Sequence, residues 1–139
     1  MEYSVHNLTE VTDCDSLLTW AQNEKGSLNL KSLNETSLIN KYSTTSIDIA
    51  ATLEGVLAEI SAADIVIAAL PAGAARTDAE NRKKRLEYQK FLLENRKANY
   101  GFVALLQKQS DLQRIQKEIE AVDSFIEAIK DRKNVLLAA

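Results

Sequence analysis

An all-α fold, a long antiparallel helical hairpin of coiled-coil type, is the architecture this sequence predicts, and three observations carry it. Helix breakers are scarce, with four glycines and one proline in 139 residues. Apolar residues recur at alternating steps of four and three as far as residue 70, the seam spacing of a left-handed coiled coil. A single reversal signal, Pro71-Ala72-Gly73, separates two arms of equal length, 58 residues each if the helices run over 13–70 and 78–135. The whole chain, 1–139, is read as a single helical domain.

Residues 1–12 read as a short tail. Thr12-x-x-Asp15 then resembles a capping box, in which the Thr12 hydroxyl accepts from a free N–H of the first turn. Asp13 and Asp15 suit the positive end of the helix dipole there. The first seam runs Cys14, Leu18, Ala21, Lys25, Leu28, Ser32, Glu35, Ile39, Tyr42, Ser46, Ile49, Leu53, Val56, Ile60, Ala63, Ile67 and Leu70. From Ile49 onward every position is apolar. Between Lys25 and Ser46 the seam is poor, and Ser, Thr and Asn compete there for local backbone bonds. Helix one is read over 13–70, with a break near residue 26 or over 43–46 as the alternative. If helix one breaks near residue 43, a three-helix arrangement replaces the simple hairpin.

Pro71 lacks an N–H and disfavours helical geometry at Leu70, while Gly73 can take a positive φ. Residues 71–77 read as the turn. Thr77-x-x-Glu80 is a capping box that places the next start at Asp78. The distal seam of helix two is Leu112, Ile115, Ile119, Val122, Ile126, Ile129, Lys133 and Leu136. Its proximal half uses another phase, through Leu86, Leu93 and Tyr100. The phase shifts over 102–107, beside Gly101, as a stutter does.

Charge divides where the turn lies. Residues 1–70 hold 3 Lys+Arg against 10 Asp+Glu, and residues 71–139 hold 14 against 10, nets of −7 and +4. Folding about the turn pairs positions whose numbers sum to about 147. Asp15 then faces Arg132, Asp64 faces Lys83 and Lys84, Lys25 lies near Asp123 and Glu120, and Glu35 lies near Arg114. Glu54 is the exception, meeting both Lys90 and Glu94. Exposed pairs contribute only about 0.2–1 kcal/mol each, so they select register more than they stabilise.

More apolar side chains are present than two facing stripes consume. Leu57, Ile65, Val66, Phe102, Leu106 and Phe125 are the candidate self-association surface, and a homo-oligomer, most simply a dimer, is expected. The basic residues Arg82, Lys83, Lys84, Arg85, Arg96 and Lys97 are the candidate patch for nucleic acid or an acidic partner. The favoured reading of that run is a solvated helix face opposite Asp64, Glu59 and Glu54, because four consecutive residues point around the whole helix. Trp20, Tyr42, Tyr88 and Tyr100 are expected to pack within the bundle.

No catalytic constellation is present. One histidine, His6, and one cysteine, Cys14, exclude a zinc site built mainly from such ligands within one chain, and allow no intrachain disulfide. No Gly-rich phosphate loop and no Glu-x-x-His pair occurs, so no cofactor is called for. The opening residues lack the basic and apolar runs of a secretory leader, and no stretch has the length of a membrane span. A cytoplasmic, non-enzymatic scaffold, spacer or adaptor with an unidentified protein partner is the expected function; a nucleic-acid-associated accessory protein is the alternative. In length and hairpin shape the chain is similar to prefoldin-type chaperone subunits, but residues 71–76 leave no room for their β-hairpins, and no family is assigned.

Overall fold

The computed structural model describes residues 2–139. A short 3-10 turn, Val5–Asn7, precedes three helices: α1 (Val11–Ala69), α2 (Ala74–Tyr100) and α3 (Phe102–Ala138). Among the described residues there is no strand, and the chain is an all-α helical hairpin. It packs as two units, residues 2–37 with 109–139, and residues 38–108.

Helix α1 is continuous, so the alternative of a break near residue 26 or 43–46 does not occur, and neither does the three-helix arrangement that depended on it. The Ser and Thr side chains that threatened it are satisfied inside the helix. Thr36 Oγ1 donates to the Ser32 carbonyl at 2.8 Å, Thr44 to Asn40 at 3.5 Å, and Ser46 Oγ to Ser43 at 3.1 Å. Hydroxyls that bond one turn back no longer compete with the ladder. The seam carries the rest. Every seam position from Cys14 to Leu70 is buried or half-buried, including Lys25, Ser32 and Glu35 in the poor stretch.

The first unit pairs the beginning of α1 with most of α3. Cys14, Ala21 and Leu28 face a stripe that contains Ile126 and Ile129, all of them buried. Small residues at 14 and 21 allow close approach, while each buried isoleucine contributes about 1.5–3 kcal/mol. Ion pairs flank this seam, Lys133 with Asp15 and Lys25 with Asp123, both at 2.6 Å. The residues before α1 are not a loose tail. Arg132 Nε donates to the Leu8 carbonyl at 2.9 Å and its Nη2 to the His6 carbonyl at 3.4 Å. The Tyr3 ring meets Phe125 edge-on at 5.1 Å, and Trp20 meets the same ring at 5.8 Å.

The capping box drawn at Thr12 is not formed. The helix begins at Val11, and the Thr12 hydroxyl donates to the Glu10 carboxylate at 3.4 Å. Asp15 is occupied by Lys133 instead of capping.

The second unit holds the C-terminal half of α1, all of α2 and the first turns of α3. Ile49, Leu53, Val56 and Ala63 of α1, Leu86 of α2 and Ala104 of α3 are its buried core, and the Tyr42 and Tyr100 rings meet edge-on at 5.7 Å. Lys83 bonds Asp64 at 2.5 Å. The numbers of this ion pair, and of the two in the first unit, sum to 147 or 148, the register expected from charge, while Arg82 with Glu59 and Tyr42 with Tyr100 lie a few residues off it.

At the turn, Gly73 adopts φ 152° and ψ −172°, a region open in practice only to glycine. Helix α2 starts directly after it, at Ala74 rather than Asp78. The Thr77-Glu80 capping box is not made: the Thr77 hydroxyl donates to the Gly73 carbonyl at 3.1 Å, and Glu80 takes Arg76 at 3.3 Å. Gly73 completes the reversal unaided, and two alanines, the best helix formers, then let the ladder begin four residues early.

Helix two is two helices. Gly101 is extended (φ −83°, ψ −166°) between α2 and α3, although its N–H still reaches the Lys97 carbonyl at 2.8 Å. A side chain at 101 would collide with that carbonyl. Beyond it the covered positions run 101, 104, 108, 112, 115 and 119, with two successive steps of four. This is the shift of phase expected over 102–107, now with a break in the helix at its head.

Candidate interaction surfaces

The basic run does not form one patch. Lys83 turns toward α1, where Asp64 accepts its hydrogen bond, and Glu87 one turn along α2 lies at 3.9 Å. The hydrogen bond to Asp64, then its charge, hold the Lys83 amine above its ordinary value of 10.5. Arg82 reaches Glu59 only at 3.9 Å. Lys84, Arg85, Arg96 and Lys97 are exposed and have no carboxylate partner among the described residues. Arg82, Arg85 and Arg96 share one flank of α2 with Gln89 and Leu92, because steps of three and four keep to one side of a helix. Lys84 and Lys97 lie off that flank.

Two concavities open along the flank shared by α1 and α2. The first is lined by Glu59, Ala62, Ala63 and Val66 on α1 and by Asp78, Ala79, Arg82 and Arg85 on α2. The second is lined by Thr52 and Val56 on α1 and by Gln89, Leu92, Leu93 and Arg96 on α2. Each has an apolar floor and a cationic rim.

The candidate self-association residues are scattered. Phe102 and Leu106 lie one turn apart on α3, 46% and 63% exposed, with Val103 beside them. Leu57 and Val66, both exposed, are nine residues apart and so point to opposite sides of α1. Val66 lines the first concavity, and Ile65 is 72% exposed on the outer face. Phe125 is not a free surface residue. It is half-buried between the Trp20 ring of α1 and the Tyr3 ring, which comes from a segment before α1 whose packing no periodicity announced.

Of the four aromatic residues expected to pack, only Tyr42 is half-buried; Trp20 and Tyr100 make ring contacts but stay exposed, and Tyr88 is exposed. Arg114 bonds Asp111 on its own helix. Sequence reasoning missed the concavities and the exposed pair Leu30 and Leu33 on α1. The signal for the former was the step 82, 85, 89, 92, 96, which follows seam spacing but is offset from Leu86 and Leu93.

Cys14 is fully buried, and His6 is exposed with its carbonyl engaged by Arg132. Among the described residues no three His, Cys, Asp or Glu side chains are placed to hold a metal ion, and no helix is long and apolar enough to cross a membrane. No protein-family model, no curated protein and no solved structure matches this chain.

Proposed function

We propose that this chain is a non-enzymatic structural or interaction protein, a coiled-coil scaffold, spacer or adaptor that acts through its helical surfaces and associates with further copies of itself. One observation carries this reading. Phe102, Val103 and Leu106 form an exposed apolar face on α3 in a protein whose seam is already filled. Covering a side chain of that size contributes about 1.5–3 kcal/mol, so a second copy laid against this face gains from each. A dimer making a four-helix bundle is the simplest closed solution. The unpaired thiol of Cys14 suits a reducing compartment, and the cytoplasm is the proposed location.

Size-exclusion chromatography with light scattering tests this. The wild-type protein is expected to run as an oligomer. The double variant Phe102→Glu/Leu106→Glu is expected to run as a monomer with its helical circular dichroism intact. A wild-type chain that stays monomeric at every concentration overturns the self-association.

A further inference from the structure

The two concavities belong to one groove. Its α1 wall is built from positions 52, 56, 59, 63 and 66, and its α2 wall from 78, 82, 85, 89, 92 and 96. Both walls advance by threes and fours, so each concavity lies on the same flank of the helix pair. Along α2 the groove covers about five turns, roughly 27 Å at about 1.5 Å per residue. A long straight furrow between two helices fits the ridge of a third helix. Alanines at 62, 63 and 79 keep the tip half shallow in side-chain bulk, so a helix can approach closely there.

Charge selects the occupant. Three arginines stand on the α2 wall against two acids in the groove, Glu59 and Asp78. Arg85 and Arg96 have no carboxylate partner among the described residues, and Arg82 holds Glu59 only at 3.9 Å. Guanidinium groups favour carboxylates through two parallel hydrogen bonds, which a point-like ammonium does not offer. A two-fold pairing of this groove with its own copy sets three arginines against three, an unfavourable match. The exposed acids on the other side of α2 do not repair it. Glu80, Glu87 and Glu94 already lie beside Arg76, Lys83 and Lys90 of their own helix. A phosphate backbone fits less well, because the floor is apolar and the cations occupy one wall.

We propose that the α1–α2 groove, floored by Ala62, Val66 and Leu92 and rimmed by Arg82, Arg85 and Arg96, docks an amphipathic helix of a partner protein whose edge carries carboxylates. This rests on the adaptor reading above and names the partner chemistry. The arginines at 82 and 96 are two heptads apart, so the docked helix carries acids at both of its ends. Helix-in-groove recognition of this type takes its affinity from apolar anchors and its selectivity from the charged edge.

The test uses the full chain and two labelled helical peptides about five turns long. They share one leucine face, and their edges carry either glutamate or lysine. Fluorescence anisotropy is expected to show the glutamate peptide binding about tenfold more tightly, a difference of roughly 1.4 kcal/mol. The variant Arg85→Glu/Arg96→Glu is expected to reverse that order, and a reversal cannot come from misfolding. Binding of neither peptide, or a preference the variant leaves unchanged, overturns the proposal. So does wild-type self-association that this variant abolishes, which makes the occupant a second copy. A duplex DNA or an RNA oligonucleotide that outcompetes the glutamate peptide overturns it as well. Self-association through Phe102 and Leu106 is read separately: a monomer that still selects the glutamate peptide keeps the groove and loses the dimer.

Discussion

Lys133 holds Asp15 at 2.6 Å, and its neighbour Arg132, which the charge register had paired with Asp15, is released to bind the Leu8 and His6 carbonyls. One step of register thus gives two adjacent cations different tasks. Arg132→Ala is expected to free the segment before α1. Hydrogen exchange should accelerate over residues 2–10 while α2 is unchanged. The cost in global stability should be about 1.5–3 kcal/mol, as for a charged hydrogen bond to backbone. Unchanged exchange in that segment refutes its anchoring by Arg132.

The seam should dominate stability over the exposed apolar surface. Ile129 is 2% exposed and Ile65 72%. Ile129→Ala is expected to cost about 2–5 kcal/mol in denaturant unfolding, and Ile65→Ala less than about 0.5 kcal/mol. Equal losses for the two count against the packing described.

The glycines should respond in opposite directions. Gly26 is helical, with open space where a Cβ would stand, so Gly26→Ala should stabilise by about 0.5–1 kcal/mol. A side chain at 101 meets the Lys97 carbonyl, and Gly73 has a φ of 152°. Alanine at either position should destabilise, by about 1–3 kcal/mol for the strained backbone at 73. Thermal melts of the three variants check the signs.

Lys83 supplies a pH dependence. Its pKa in the folded chain is raised above 10.5 by the bond to Asp64. The folded state therefore holds this proton more tightly than the unfolded chain. The resulting stabilisation is fully present below pH 10.5 and is lost as pH rises through the folded value. Lys83→Met should remove that loss. The stability difference between wild type and variant, measured by urea unfolding, should shrink above pH 10.5. A difference that stays constant there places the effect elsewhere.

Much of this architecture is legible in the sequence. The alternation of four and three from Cys14 to Leu70 marks the covered stripe of α1, because seam spacing and burial report the same geometry. Pro71 and Gly73 marked the reversal, and the charges at 25, 64, 83 and 123 marked the register. Local signals fared worse. Thr77 and Glu80 have capping-box spacing, yet Gly73 already ends the turn, so the box has no helix start left to serve. Ser43–Ser46 looked like a breaking point because propensity cannot see hydroxyls that bond back into the helix. Tyr3 against Phe125 joins positions more than a hundred residues apart, and no period encodes such a contact. The groove went unread because its walls come from two helices, and neither stripe alone looks concave.

Cys14 has a last consequence. It is the sole cysteine, and none of its surface meets solvent. A thiol in that position reacts with an electrophile only when α1 and α3 part around it. The modification rate is then a clock for breathing at this end of the molecule, supplied by the native chain without an added label. Anything that clamps the helix pair should slow the clock, and anything that pries it open should make it run fast.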